Sequence, residues 1–406
     1  MLKVYGICNL HDSPRLGQLT ESRPLGPTTF LGRYGLMDFT LSNFSNSGIN
    51  RVAVLVEKGQ HSVRSHVGNG SVWINNTKTG HFDIVFNESG ILANKFNTDI
   101  ANLKANKNSM FDFACDTIVV APAFFLANID FRKIVEIHQK EKRDITVVYS
   151  SRKDANKSFI NCDLFKINPK SNTIRSVSLN HGENKEADIS LETYIFSLEA
   201  FKKLVGEAHK ISALYCIRDM VNYYIKEKVM KVHGYAFEGY VVPILSIEDY
   251  VNYSFKLLKY TERQKLFHDD WPIYTTTHNT PPTIYGMEAD VQNSFIANGS
   301  HVNGKVINSI VSRNVVIEEG AVVKNCILFT KTHVGKGVNL EYVIDAYRDL
   351  NMGDRFFTPM FEKLIGVGYV REMIKGGHTA EEIEAQWQEE LEEYSTLRRR
   401  YLIYKE

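Results

Sequence analysis

Short, nearly unbroken apolar runs alternate with amphipathic stretches over the first two-thirds of the chain. Val4-Tyr5-Gly6-Ile7-Cys8, Arg51 to Val56, Thr117-Ile118-Val119-Val120 and Ile145 to Tyr149 have the character of strands covered on both faces. Helical patterns lie between them, for example from Phe131 to Lys142. Strands alternating with helices predict an α/β domain with a Rossmann-like parallel or mixed sheet, placed at residues 1–258. Pro272, the run Thr275-Thr276-Thr277 and Pro281-Pro282 then punctuate the chain and predict a linker over 259–290.

Beyond the linker the period changes. Ile310, Val316, Val322, Leu328, Val334 and Leu340 recur every six residues, with Gly304, Gly320, Gly335 and Gly337 in or beside the stretch. A six-residue period predicts a left-handed parallel β-helix over 291–354, in which each hexapeptide forms one side of a triangular coil and points one aliphatic residue inward. The period changes again over 355–406. Thr379 to Glu382 fits a capping box, and Ile383, Trp387, Leu391, Tyr394, Leu397 and Tyr401 recur at three or four residues. This predicts an amphipathic helical tail, acidic first and ending in Arg398-Arg399-Arg400, an order that suits the helix dipole.

Composition narrows the class. The 406 residues are 43% hydrophobic and 23% charged, an ordinary globular balance. Lys+Arg number 48 against 47 Asp+Glu, which argues against a nucleic-acid partner. Cys8, Cys115, Cys162, Cys216 and Cys326 are odd in number and widely spaced, so neither a disulfide ladder nor a Cys-x-x-Cys metal site can be drawn. That usage, an N-terminus unlike a signal peptide and no apolar run long enough to span a membrane predict a cytoplasmic protein.

The loop after the first strand is where an α/β protein places a phosphate-binding turn. Here it reads Asn9-Leu10-His11-Asp12-Ser13-Pro14-Arg15-Leu16. It has no glycine, Asp12 adds negative charge and Pro14 lacks an N–H. Its chemistry is that of an ordinary surface turn rather than of a nucleotide loop.

The stretch Arg23-Pro24-Leu25, then Phe30 to Asn43 (FLGRYGLMDFTLSN), then Asn46-Ser47-Gly48-Ile49 resembles the sugar-nucleotide pyrophosphorylases, most of all the ADP-glucose pyrophosphorylases. Gly239-Tyr240, Trp271-Pro272-Ile273 and Pro281-Pro282 extend the resemblance, which covers residues 1–354. It implies a nucleotidyltransferase domain and a β-helix. It also implies a reaction in which glucose 1-phosphate attacks the α-phosphate of ATP, with Mg²⁺ held by two aspartates.

The chain departs from the family at the residues that carry this chemistry. The glycine-rich loop corresponds to Asn9, Leu10, His11 and Asp12, with only Arg15-Leu16 retained. Arg23 stands for the lysine before Pro-Ala. The two metal aspartates fall at Phe124 and Pro243, and the Glu-Lys-Pro of the sugar-phosphate site has no counterpart between Phe165 and Glu186. The resemblance is therefore to the non-catalytic, regulatory subunit branch of Gram-positive bacteria, which shares the Asn-Leu-His near the N-terminus.

That branch implies a catalytic pyrophosphorylase partner in a heterotetramer, with Mg²⁺ in the partner and no cofactor on this chain. Arg33 matches the lysine that contributes to effector binding, and with Arg23 it is the candidate for a phosphate or sugar-phosphate effector. Ser190 and Tyr194 match the family's sugar-site stretch. Asp38 and Asn43 are assigned to shaping a turn and a helix start, and His61 and His66 to a helix surface. The tail, through Phe361 to Leu364, Val370 to Ile374, Trp387-Gln388 and Arg400 to Tyr404, resembles the C-terminal end of an exo-β-N-acetylmuramidase family. Three alternatives stay open. They are an active pyrophosphorylase with shifted ligands such as Asp116 or Asp130, a free-standing sugar-phosphate sensor, and a hexapeptide acyltransferase using His301 or His333.

Overall fold

The structure is a computed structural model that describes residues 3–21, 23–74, 78–87, 97–107, 115–341 and 344–345. It divides into two compact units, one from Met1–Phe30 with Tyr34–His278, the other from Leu31–Arg33 with the described residues from Asn279 onward. The tail expected over 355–406, with its capping box and apolar stripe, lies outside the described residues.

A nine-stranded mixed sheet forms the first unit. Val4–Asn9 lies at its centre, parallel to Arg51–Val56 on one side and to Thr117–Pro122 on the other, and His81–Phe86 extends it beyond Arg51–Val56. The long strand Ala187–Ser197 runs antiparallel to Thr117–Pro122 and Ile145–Arg152. Val232–Ala236 pairs in parallel with Ile145–Arg152. The apolar runs of the sequence are these inner strands: every residue of Thr117–Pro122 is buried, as is all of Arg51–Val56 but its first. One face packs Tyr5, Ile7, Leu55 and Val120 against Phe201, Leu204, Met220 and Tyr224 of the helices Leu198–Ile211 and Ile217–Lys226. Burying such side chains contributes about 1.5–3 kcal/mol each. Helix starts follow local chemistry: the side chains of Asp130 and Ser197 accept the N–H groups of Arg132 and Ala200.

The proline-rich stretch after the sheet is docked on helix Met37–Asn46 rather than left as a free strand of chain. Trp271 Nε1 donates to Asn43 Oδ1 at 2.8 Å, Tyr274 N to Ser42 Oγ at 2.8 Å and Asn46 Nδ2 to Pro272 O at 3.0 Å. The Thr276 hydroxyl donates to the carbonyl of His66. Asn43 also donates to Ala127 O at 2.7 Å and accepts from Ile129 N at 3.2 Å. Asp38 accepts from Gly35 N at 2.8 Å and pairs with His66 Nε2 at 2.6 Å. The reading of Asp38 and Asn43 as shaping residues fits these contacts. His61 is exposed, but His66 is only 14% exposed and turns toward Asp38, a correction to its expected surface position.

The second unit is a β-helix. Its three faces are four-stranded parallel sheets containing Ile284–Tyr285, Asp290–Gln292 and Phe295–Ile296 as their first strands. Val302, Val306, Val311, Ile317, Val323, Leu328 and Val334 fill the interior. The six-residue series is thereby corrected in phase: Val311, Ile317 and Val323 pack inward, not their neighbours Ile310, Val316 and Val322, while Leu328 and Val334 keep their assignment. Coil length gives the reason. Paired strands are 17 residues apart at Ile310↔Ile327 and 15 apart at Phe295↔Ile310, short of three full hexapeptides. The coil of 17 must therefore drop one residue and the coil of 15 three. Corners are made by asparagines in the left-handed region, Asn293, Asn308 and Asn325. These three stack, with Asn293 Nδ2 on Asn308 Oδ1 at 2.9 Å and Asn308 Nδ2 on Asn325 Oδ1 at 2.6 Å. Among the described residues no helix is long and apolar enough to cross a membrane.

Candidate functional site

The loop after the first strand is a latch whose Leu10, His11 and Leu16 are buried, while Asp12 and Arg15 stay exposed as in the surface turn its sequence suggests. Leu10 and His11 are 1% and 3% exposed. Asn9 Oδ1 accepts the His11 N–H at 3.1 Å, folding the chain back on itself, and Asp12 takes a left-handed φ of 52° that an aspartate tolerates. His11 Nδ1 donates to Asn97 O at 3.2 Å, and its Nε2 accepts from Asn102 Nδ2 at 3.0 Å. Burial pushes this imidazole down to about 4, so it is neutral and serves as a structural bridge.

The other end of the latch is Asp99, in the first turn of helix Asp99–Ala105. Its carboxylate accepts from Asn9 Nδ2 at 2.8 Å, from Ile100 N at 2.6 Å and from Ile217 N at 3.1 Å. It thus ties the loop to the start of helix Ile217–Lys226. Burial, with Asp12 adding to it, raises Asp99 to about 7 against the pull of these donors.

Behind the latch is a cavity of about 20 Å³, lined by the loop, Asp99, Phe124, Glu192, Tyr194, Cys216 and Arg218. A space of that size holds about one water molecule. Glu192 reaches it from a bulge in strand Ala187–Ser197, where the register shifts between Ser190 and Thr193 and Glu192 adopts a φ of 47°. A non-glycine residue in that conformation marks local strain. Burial raises Glu192 to about 7, Arg218 opposing and Asp163 adding. Arg218 grips Asp163 with Nε at 2.8 Å and Nη2 at 2.7 Å, and meets Glu192 at 3.2 Å. Among the described residues that line the cavity, the one cation, Arg218, is therefore already committed. Tyr194 is 4% exposed, and burial beside Glu192 and Asp163 lifts its phenol well above the usual range. Cys216, buried beside Asp99, has a raised thiol and donates to Asp219 Oδ2 at 3.2 Å, so it is no activated nucleophile.

Phe124 and Pro243, remote in sequence, are brought together by a short antiparallel ladder. Pro243 pairs with Phe125, and Ile244 N donates to Phe124 O at 2.8 Å. Both side chains are buried, and the Phe124 ring meets Phe125 at a tilt of 55° with ring centroids 4.8 Å apart.

Of the residues singled out in the sequence, Asn9, His11, Asp12, Phe124 and Tyr194 meet at the cavity. The others do not. Arg15 is exposed, and Arg23 Nε donates to the carbonyl of Leu19 at 3.1 Å. Arg33 is exposed and falls in the second unit. Ser190 is wholly buried within its strand, its Oγ accepting from Glu192 N at 3.1 Å. Asp130 caps helix Phe131–Lys140 and is paired with Arg132, and Asp116 is exposed; neither lines the cavity. His301 and His333 are exposed on the β-helix, where His333 meets Glu318 at 2.8 Å. Asp99, Glu192 and Arg218 were missed. Nothing in their spacing links them, and only the fold makes them neighbours.

Residues 13–159 match the nucleotidyl transferase family and residues 283–353 match the GlmU-like, C-terminal hexapeptide family. The architecture is thus a nucleotidyltransferase domain followed by a hexapeptide β-helix. Residues 329–404 also match the C-terminal region of the exo-beta-N-acetylmuramidase NamZ, overlapping the last part of the β-helix. Among full-length relatives, the chain is 28% identical to a glucose-1-phosphate adenylyltransferase of Fervidobacterium nodosum, over 82% of this chain and 80% of the relative. It is 29% identical to the glycogen biosynthesis protein GlgD of Bacillus subtilis, over 80% of this chain and 79% of the relative. The glucose-1-phosphate adenylyltransferase of the same organism is 26% identical, over 75% of this chain and 80% of the relative.

Proposed function

We propose that the chain is a regulatory, catalytically degenerate subunit of a glucose-1-phosphate adenylyltransferase in glycogen biosynthesis, working beside a catalytic subunit in a hetero-oligomer, a heterotetramer by resemblance. The observation that carries this reading is the ladder of Phe124 and Pro243. The resemblance assigns both positions to Mg²⁺ ligands, the fold sets them side by side, and both are buried and apolar. Neither side chain can ligate a hard cation, which takes oxygen donors. The residues here do not fit Mg²⁺, which on this reading is held by the catalytic partner. The similarity to GlgD supports the same reading.

The cavity adds to it. Nucleotidyl transfer rests on cationic groups around the phosphates. Here the space fits one water and is walled by carboxylates, and its arginine is held by Asp163 and Glu192. The chain's contribution is then a coupling free energy: its conformation, and a sugar-phosphate effector at Arg33 or Arg23, bias the active subunit.

The test is ADP-glucose synthesis by this chain alone, by a catalytic adenylyltransferase subunit alone and by the two co-expressed. The chain alone is expected to be silent and to raise the partner's rate or alter its effector response. Turnover by the isolated chain at a rate like that of a catalytic subunit would overturn the proposal.

A further inference from the structure

The carboxylates around the cavity outnumber their cation. Asp12, Asp99, Asp163, Glu192 and Asp219 interact electrostatically with one another or with Arg218, and Arg218 already makes a two-point contact with Asp163. Asp12 also acts electrostatically on Glu57, as do Lys58 and Arg15. A second observation is independent of charge. Tyr194 lines the cavity with its side chain almost wholly buried, and its hydroxyl makes no hydrogen bond with any described residue. A buried hydroxyl without a partner costs about 1–3 kcal/mol, and a ligand or water normally meets it.

Among the described residues, no three acidic, histidine or cysteine side chains converge closely enough to hold a metal ion. An N–H donor needs less convergence, since its heavy-atom contacts are 2.7–2.9 Å rather than the roughly 2.0–2.6 Å of a hard cation. An ammonium group is about the size of the one water that the cavity of about 20 Å³ accepts. It carries several donors and no acceptor, which matches a wall of carboxylates and a phenol oxygen.

We propose that this cavity binds a primary ammonium group, entering past the exposed Asp12 and hydrogen-bonded between the carboxylates of Asp12 and Glu192 and the hydroxyl of Tyr194. The inference rests on the reading of the pocket as one that no longer takes a nucleotide, and it names what takes the nucleotide's place. Two sources share the chemistry: a free small amine, and a lysine side chain of a partner chain. Because Glu192 and Asp99 release protons near neutrality, the ammonium group binds more tightly as pH rises from 6 to 8.

The experiment is thermal unfolding of the full chain at constant ionic strength with methylammonium, tetramethylammonium or sodium chloride. Tetramethylammonium has the same charge but no N–H and too much bulk. The expected result is a rise in Tm of about 2–4 °C with saturating methylammonium over the other two salts, larger at pH 8 than at pH 6. Asp12→Asn, which suits the left-handed φ of 52° as well as aspartate does, and Tyr194→Phe are each expected to remove most of the difference. Equal shifts with all three salts, or none with methylammonium, would overturn the proposal while leaving the regulatory reading to its own co-expression assay. A shift with glucose 1-phosphate or ATP that Tyr194→Phe abolishes would overturn both. If the isolated chain responds to methylammonium but its complex with a catalytic subunit does not, the ammonium group is a partner's lysine. If both respond, it is a free amine.

Discussion

Phe124 and Pro243 sit on a ladder whose side chains are apolar and out of water, while the cavity behind Asn9 to Asp12, which Phe124 also lines, collects carboxylates around one committed arginine. Both arrangements are unsuited to a metal–triphosphate, for opposite reasons. The ladder offers no ligand to the metal. The cavity repels the phosphates. On the proposed regulatory reading, one wall lacks polar groups and the other carries the wrong charge for phosphates, while the surrounding sheet is that of a nucleotidyltransferase domain. The two walls also differ in what holds them. Apolar packing secures the ladder, whereas the latch depends on hydrogen bonds that leave costly groups behind when one partner goes.

The largest way to break the comparison is to return aspartates to both ladder positions. Removal of the buried Phe124 ring alone costs about 3–5 kcal/mol, so Phe124→Asp with Pro243→Asp is expected to unfold at much lower urea and to make no ADP-glucose. Turnover in that variant would mean the acidic wall is irrelevant. Next comes Asp99→Ala, which strands the N–H groups of Ile100 and Ile217 and the amide of Asn9. A loss of about 3 kcal/mol in urea unfolding is expected, and an unchanged midpoint would make the latch incidental.

A pH titration sharpens the contrast further. Asp99 and Glu192 both rise to about 7, so the stability they contribute is full below the ordinary carboxylate range and is lost as pH climbs through 7. His11 has the opposite sign: held down to about 4, it contributes above the ordinary imidazole value and loses that contribution as pH falls. Tm is therefore expected to decline from pH 6 to pH 8, and Glu192→Gln is expected to flatten that decline; an equally steep profile in the variant would locate the effect elsewhere. The smallest effect belongs to the β-helix, where Asn308→Ala breaks one amide stack for about 0.5–1.5 kcal/mol, read as a small shift in the unfolding midpoint.

Much of the scaffold was legible because its signals are local. Apolar runs such as Thr117 to Val120 became inner strands, and a period near six became a coil. The phase of that coil was not legible, since a slip from six to five between Val323 and Leu328 follows from coils of 17 residues and not from any single residue type. The site was legible where it had a motif. The missing glycines were visible in Asn9 to Leu16, but what fills their place was not: Asp99 lies 90 positions from Asn9, and Arg218 lies 55 from Asp163. Glu192 reads as one more residue in a strand until the bulge turns it inward. Residues of that kind acquire meaning only through distances across the sheet.

The docked stretch from Trp271 to Thr276 has a practical consequence for where the chain can be cut. Ser42, Asn43, Asn46 and His66 all spend hydrogen-bonding groups on it. A fragment ending near residue 258 would strip these partners from an otherwise finished sheet domain and leave a polar groove along helix Met37–Asn46. A fragment ending at His278 carries its own fastening. Limited proteolysis of the native chain should accordingly spare the bond after Lys259 and favour the threonine- and proline-rich segment beyond Thr276, so that the shortest self-sufficient sheet domain runs about fifteen residues past its last helix, Tyr260–Arg263.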